Sequence, residues 1–240
     1  MRSEGARDFP FQPGEPAPSA LRWAAALGLT AVGVAALMAA PRLFGHDQAW
    51  AGVAIFVAAP LAGLALLLNG RPGRVFIRPT GWDFLIGVGF GLLNLAVTIG
   101  AALLADRVLQ MAANPVNTTL AALPESGLPA FFALTGLQLV GEELVTAIPF
   151  LAVLTLGRRL GLERRPALIL ASLSAALIFA AMHFPTYQWH IAQTILIIGV
   201  ARLVLLGAWL ATKNLWASVI AHIFNDWTLF AVAWIALRAV

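Results

Sequence analysis

Apolar residues run through this chain in seven long blocks, at about 21–41, 50–69, 82–105, 129–157, 166–184, 191–212 and 215–237. As helices, each is long enough to cross the roughly 30 Å hydrocarbon core of a bilayer, which takes about 20 residues. Short polar breaks separate them, among them Pro41-Arg42, 69–73, 158–166 and Lys213-Asn214, and the proline and glycine within these breaks are turn signals. Trp23, Trp50, Trp82, Trp189 and Trp216 fall at the proposed helix starts, where indole favours the headgroup layer. The pattern predicts an all-α polytopic bundle of about seven transmembrane helices, forming one membrane domain over 21–240. Residues 1–20 are polar and rich in proline and glycine, and a disordered tail is expected there. The first block is long for a signal peptide and follows that tail, so it reads as an uncleaved helix.

Composition supports the bilayer. The chain is 60% hydrophobic and only 11% charged, against roughly a quarter charged in soluble domains. So few charges cannot cover a water-facing surface, whereas lipid accepts apolar side chains outside. The absence of cysteine excludes disulfides, thiolate metal sites and a cysteine nucleophile. A net charge of +4 raises the question of nucleic acid. The basic residues, however, sit in short turns and make no run that tracks phosphates, so no nucleic-acid partner is expected. They mark topology instead. Arg2, Arg7, Arg22, Arg71, Arg74, Arg78, Arg158, Arg159, Arg164, Arg165 and Lys213 would lie on one side, against Arg42, Arg107 and Arg238 on the other. That asymmetry predicts a cytoplasmic tail and cytoplasmic even-numbered loops, with 106–127 as the main external loop.

Ionisable residues inside a membrane are costly and usually functional. Here the first three blocks hold almost none. In the fourth, Glu142 and Glu143 lie near the middle, with fourteen uncharged residues on either side. Thr135, Gln138, Glu142 and Thr146 share one helix face. Two adjacent carboxylates at low dielectric do not easily ionise together, and Pro149 beyond them is expected to kink the helix. In the fifth block Phe179 and His183 form an i, i+4 pair before Pro185. In the seventh, Ser218, His222 and Asp226 line one face with Asn225 beside them. Asp226 is placed to accept the imidazole N–H and set its tautomer; a polar cluster that merely packs helices is the plainer reading. His190 and Gln193 read as interfacial. Arg202 either snorkels to the surface or offsets the glutamates. Gly87 and Gly91 form a GxxxG pair, a signal of close helix packing.

Glutamates with two histidines fit water activation, metal ligation or proton-coupled transport. No HExxH, GxSxG, Walker loop or dinucleotide fingerprint is present. The order of motifs, Glu142-Glu143, then Phe179-x-x-x-His183, then His222-x-x-x-Asp226, resembles the CPBP family, the CAAX protease and bacteriocin-processing intramembrane proteases related to type II CAAX prenyl endopeptidases. That family carries EExxxR, FxxxH and HxxxN/D on successive membrane helices. Here the glutamates, His183 and His222 follow at intervals of 41 and 39 residues, and the likeness covers about 129–230. It implies a glutamate-dependent intramembrane endopeptidase of a cell membrane, in a prokaryotic setting, acting on a peptide or membrane-protein substrate. On that reading Glu142 activates water, Glu143 assists, His183 and His222 stabilise the oxyanion, and Asp226 orients His222. Glu142, His183 and His222 equally make a three-ligand set for a divalent metal such as zinc; the residues leave the choice open.

Two features strain this picture. The arginine of EExxxR is replaced by Ala147, which leaves the glutamates without their usual counterion. Either Arg202 substitutes, or one glutamate holds a proton, or proteolysis is lost. The second is depth. At 1.5 Å per residue His222 starts near one membrane face and His183 near the other, so a common site requires a short or tilted fifth span or displaced sixth and seventh spans. Two other functions compete: a non-catalytic CPBP-like binding or immunity protein, motivated by Ala147, and a proton-coupled transporter, for which no inverted repeat is seen.

Overall fold

A computed structural model describes residues 17–43 and 49–239. Its helices are α1 (Ala20–Leu43), α2 (Ala49–Leu67), α3 (Gly81–Asp106), α4 (Val116–Ala122), α5 (Leu128–Arg159), α6 (Arg164–Met182), α7 (Ile191–Thr194), α8 (Val200–Thr212) and α9 (Leu215–Arg238). A π-helical turn at Ile195–Gly199 joins α7 and α8 into one apolar unit, Ile191–Thr212. Among the described residues there is no strand, and seven helical units are long and apolar enough to cross a bilayer. They coincide with the seven predicted blocks to within a few residues. The tail expected over 1–20 lies outside the described residues except for its last four.

Local departures have local reasons. Helix α1 continues through Pro41, where the sequence pattern predicts a break. Helix α5 runs unbroken across Pro149 from Leu128 to Arg159. The segment 106–127, expected as a loop, contains α4 and a 3₁₀ turn at Glu125–Gly127. A seven-residue helix is too short to show a hydrophobic period in sequence, and α4 exists because Leu120 is buried against the bundle. Of the five tryptophans placed at helix starts, Trp50, Trp82 and Trp189 are exposed, but Trp23 is buried in the apolar core. Trp216 packs edge-on to Phe76 at 5.2 Å between ring centroids.

The bundle is built around α5, whose middle is buried continuously from Gly141 to Leu151. Helices α1 and α2 form an antiparallel pair, and α2, α6 and α9 all pack on α5. Helix α3 lies along α9. A Cβ on Gly87 would meet the Ala217 carbonyl oxygen at 2.9 Å and Ile220 Cγ2 at 2.8 Å; one on Gly91 would meet Phe224 Cδ1 at 2.9 Å and the Ala221 carbonyl oxygen at 3.0 Å. The GxxxG pair is thus the close-approach surface that brings α3 onto the helix carrying His222. A Gly91→Val substitution is expected to lower stability by about 1–3 kcal/mol, read as the unfolding midpoint in detergent. Gly89 is on the open side, where a Cβ would meet nothing within 4 Å, and is expected to tolerate the same change.

The turn between α8 and α9 is decisive for the site. Lys213 adopts a left-handed φ of 56°, and the Asn214 side chain caps α9 by accepting from Trp216 N–H at 3.3 Å. Asn214 and Leu215 are buried, and the Leu215 N–H donates to the Val75 carbonyl at 2.9 Å. Predicted as an ordinary loop, this turn is covered by the 68–78 connection. Helix α9 therefore starts inside the protein rather than at its edge.

Candidate active site

Three helices, α5, α8 and α9, meet at Glu143. Arg202 from α8 reaches it with Nη2 2.6 Å from Oε1. The Ser218 hydroxyl of α9 lies 2.6 Å from Glu143 Oε2 and 2.8 Å from the Leu205 carbonyl; with one proton it donates to one of them at a time. His222 Nδ1, also on α9, is 2.8 Å from Glu143 Oε1. Arg202 is fully buried and Glu143 nearly so. The guanidinium also approaches Thr146 Oγ1 at 3.4 Å and Ser218 Oγ at 3.3 Å, and its carbon stands 5.0 Å from the Phe179 ring centroid on α6. Of the two readings left open for Arg202, the structure shows the second. The positive charge absent at Ala147 arrives from α8. Ala147 itself is buried in the apolar cluster with Leu144, Ile148 and Trp209.

Glu142 is held differently. Its Oε1 accepts from Gln138 Nε2 at 3.0 Å, one turn back on the face that the spacing predicted. Its Oε2 stands 3.8 Å from His222 Nε2, which is beyond hydrogen-bond range. The same Nε2 is 3.8 Å from Asp226 Oδ1, while Asn225 Nδ2 donates to that oxygen at 2.8 Å. The bond expected between Asp226 and the imidazole is therefore not made. Glu143 makes the equivalent one at Nδ1, because i, i+4 spacing on one helix brings Asp226 only to the far edge of the ring.

His183 lies just beyond the end of α6. Its Nδ1 is 2.9 Å from the Phe179 carbonyl oxygen, an acceptor, so Nδ1 carries the proton and Nε2 is free to act. Phe179 links the two histidines, with ring centroids 4.7 Å from His183 and 6.3 Å from His222. Helices α6 and α9 bring Phe179 and His222 together despite their offset along the predicted spans. His190 and Gln193 tie the 107–115 connection down. His190 Nδ1 lies 2.7 Å from the Gln110 carbonyl, and the Gln193 amide pairs with both backbone groups of Ala112 at 2.8 and 2.9 Å.

Tyr187 was missed in the sequence. Its ring is buried in the 183–190 connection. Burial pushes its phenol up to about 12, and the negative charges of Asp226 and Glu142 push in the same direction, so it stays a neutral hydroxyl within their electrostatic reach. Nothing in a lone tyrosine after a predicted helix signals this. Among the described residues no group of three His, Asp or Glu side chains is gathered so as to hold a metal ion.

Fold and site together define a multi-pass helical membrane protein with an ion-paired glutamate, a second glutamate and two histidines gathered in its interior. Residues 124–228 match the family described as Rce1-like, type II CAAX prenyl endopeptidase Rce1-like. The match spans every motif residue from Glu142 to Asp226, is consistent with the CPBP family, and supports a CAAX-type intramembrane protease fold. No curated protein and no solved structure matches the chain.

Proposed function

We propose that the protein is a glutamate-dependent intramembrane endopeptidase in which Glu142 activates the attacking water. The observation that carries this reading is the approach of Glu142 Oε2 to His222 Nε2 at 3.8 Å, with the imidazole anchored from its other nitrogen by Glu143. A water about 2.8 Å from each atom satisfies both. Glu142 takes its proton as the oxygen attacks the peptide carbonyl carbon, and passes that proton to the leaving nitrogen. Both histidines have Nδ1 committed to a fixed acceptor. When protonated, each presents Nε2–H to the oxyanion. The Glu143 bond at Nδ1 keeps the His222 Nε2 turned toward Glu142 and Asp226.

The matching family's description names a CAAX prenyl endopeptidase. We therefore infer a peptide bond near a lipid-modified or membrane-embedded end as the substrate class. Wild type and Glu142→Ala, Glu143→Ala, His183→Ala and His222→Ala are to be expressed in membranes, with products followed by mass spectrometry and by an internally quenched prenylated CAAX peptide in liposomes. Cleavage by wild type and its loss in the variants at equal expression is the expected result. Identical product profiles for all five would leave the non-catalytic binding role standing in its place.

Orientation is proposed on the arginine distribution, with the tail side cytoplasmic. The cysteine-free chain makes the test clean: a single cysteine at the exposed Leu160 is expected to react with an impermeant maleimide only in inverted vesicles. Labelling in right-side-out vesicles reverses the assignment.

A further inference from the structure

Between α6 and α7 the chain reverses within residues 183–190. The Tyr187 N–H donates to the His183 carbonyl at 3.1 Å, the Trp189 N–H to the Phe184 carbonyl at 2.8 Å and the His190 N–H to the Tyr187 carbonyl at 3.0 Å. Gln188 and Trp189 both have left-handed φ values, 52° and 63°. Neither is glycine, so the turn is strained, and strain of this kind persists where the surrounding structure over-determines it. Its effect is to send the Trp189 side chain outward, 66% exposed, while the Tyr187 ring points inward at 9%.

A tyrosine at the end of a membrane helix ordinarily directs its hydroxyl to the wet interface. A tyrosine in a core ordinarily gives its hydroxyl a partner. Tyr187 does neither. Its hydroxyl makes no hydrogen bond to the described residues, yet it is not sealed off in the protein interior. The charges that act on it are Asp226 from α9 and Glu142 from α5, the same two carboxylates that flank His222 Nε2. The backbone ties it one turn from His183. An unpaired O–H donor thus lies one turn from His183, within electrostatic reach of Glu142 and Asp226, on a ring that the turn directs inward.

We propose that Tyr187 is a further hydrogen-bond donor of this site, its O–H meeting the carbonyl oxygen of the scissile peptide and stabilising the oxyanion that forms there. This rests on the endopeptidase reading. The phenol keeps its proton throughout, which its burial and the two carboxylates favour, so the role is electrostatic and complements the two imidazoles. Residues 124–228 carry the family match, but none of the three motifs includes position 187.

Tyr187→Phe removes one oxygen and keeps the ring. With the quenched prenylated peptide in liposomes, kcat is expected to fall on the order of 10²-fold, with KM within threefold and the unfolding midpoint unchanged. Because the chain holds a single tyrosine, biosynthetic replacement by 3-fluorotyrosine puts one fluorine at this site alone. Its resonance is expected to shift on adding a phosphinic isostere of the peptide, a tetrahedral anion mimic, in wild type and in Glu142→Gln alike. A Tyr187→Phe variant with kcat within twofold of wild type overturns the proposal. So does a loss of kcat matched by a loss of stability, which would make the residue structural. If wild type cleaves nothing, the endopeptidase reading fails instead. The fluorine signal then decides by itself: a shift with the isostere upholds Tyr187 as an anion-facing donor, and an unmoved resonance overturns it.

Discussion

Arg202→Ala is expected to destabilise the protein by about 3–5 kcal/mol, the range seen when one partner of a buried ion pair is removed. Arg202 and Glu143 are 0% and 2% exposed and stand 2.6 Å apart, so the variant leaves a carboxylate in the bundle interior with no cation facing it. The remaining partners of Glu143, the Ser218 hydroxyl and the His222 imidazole, cannot both compensate without the imidazole becoming a cation. Activity is expected to disappear too, since the atom that anchors His222 is the oxygen that Arg202 holds. The double variant Arg202→Met, Glu143→Gln separates the two effects. It replaces the ion pair with groups of similar volume, a change that is often neutral for stability, so the unfolding midpoint should largely recover while cleavage does not. Unfolding in detergent and cleavage of the quenched peptide provide the two readings. An Arg202→Ala protein as stable as wild type would show that the ion pair is not what holds α5, α8 and α9 in register.

The second large effect is chemical. Glu142→Gln is expected to lower kcat on the order of 10²- to 10⁴-fold with little change in stability. Its neighbour behaves in the opposite way. Both oxygens of Glu143 are committed, one to Arg202 and His222 and the other to Ser218, so Glu143→Gln should lower the unfolding midpoint as well as the rate. Glu142 commits only Oε1, to Gln138. Glutamine keeps that contact and the shape but cannot accept a proton from water. Parallel measurement of kcat and unfolding midpoint for the two variants checks the division of labour. A Glu142→Gln enzyme cleaving at the wild-type rate would move water activation to another residue.

The split between the adjacent glutamates shows where sequence reasoning stops. Their position in the middle of an apolar helix marks both as functional, and the helical spacing of Gln138 and Thr146 places partners on the correct face. Which glutamate is the anchor and which is the base depends on the side from which Arg202 and Ser218 approach, and these lie 59 and 75 residues beyond Glu143 in the chain. Asp226 illustrates the same limit. Its i, i+4 spacing to His222 makes it the natural acceptor for the imidazole, yet a carboxylate from another helix takes that bond at 2.8 Å. Tyr187 has no sequence signal at all, because its orientation is set by two left-handed residues that follow it.

By itself the sequence determined the solvent and the elements. With 60% hydrophobic residues in blocks long enough to span a bilayer, the backbone must satisfy its hydrogen bonds internally, and seven helices follow. It also determined which helices carry chemistry, because a charge in hydrocarbon persists only where something compensates it. Tertiary structure alone decided the pairing and the depth. Contact between α6 and α9 brings the His222 ring to 6.3 Å from Phe179, and Arg202 supplies from α8 the cation that Ala147 cannot. Both outcomes depend on contacts between distant segments, which hydrophobic period and residue spacing do not encode.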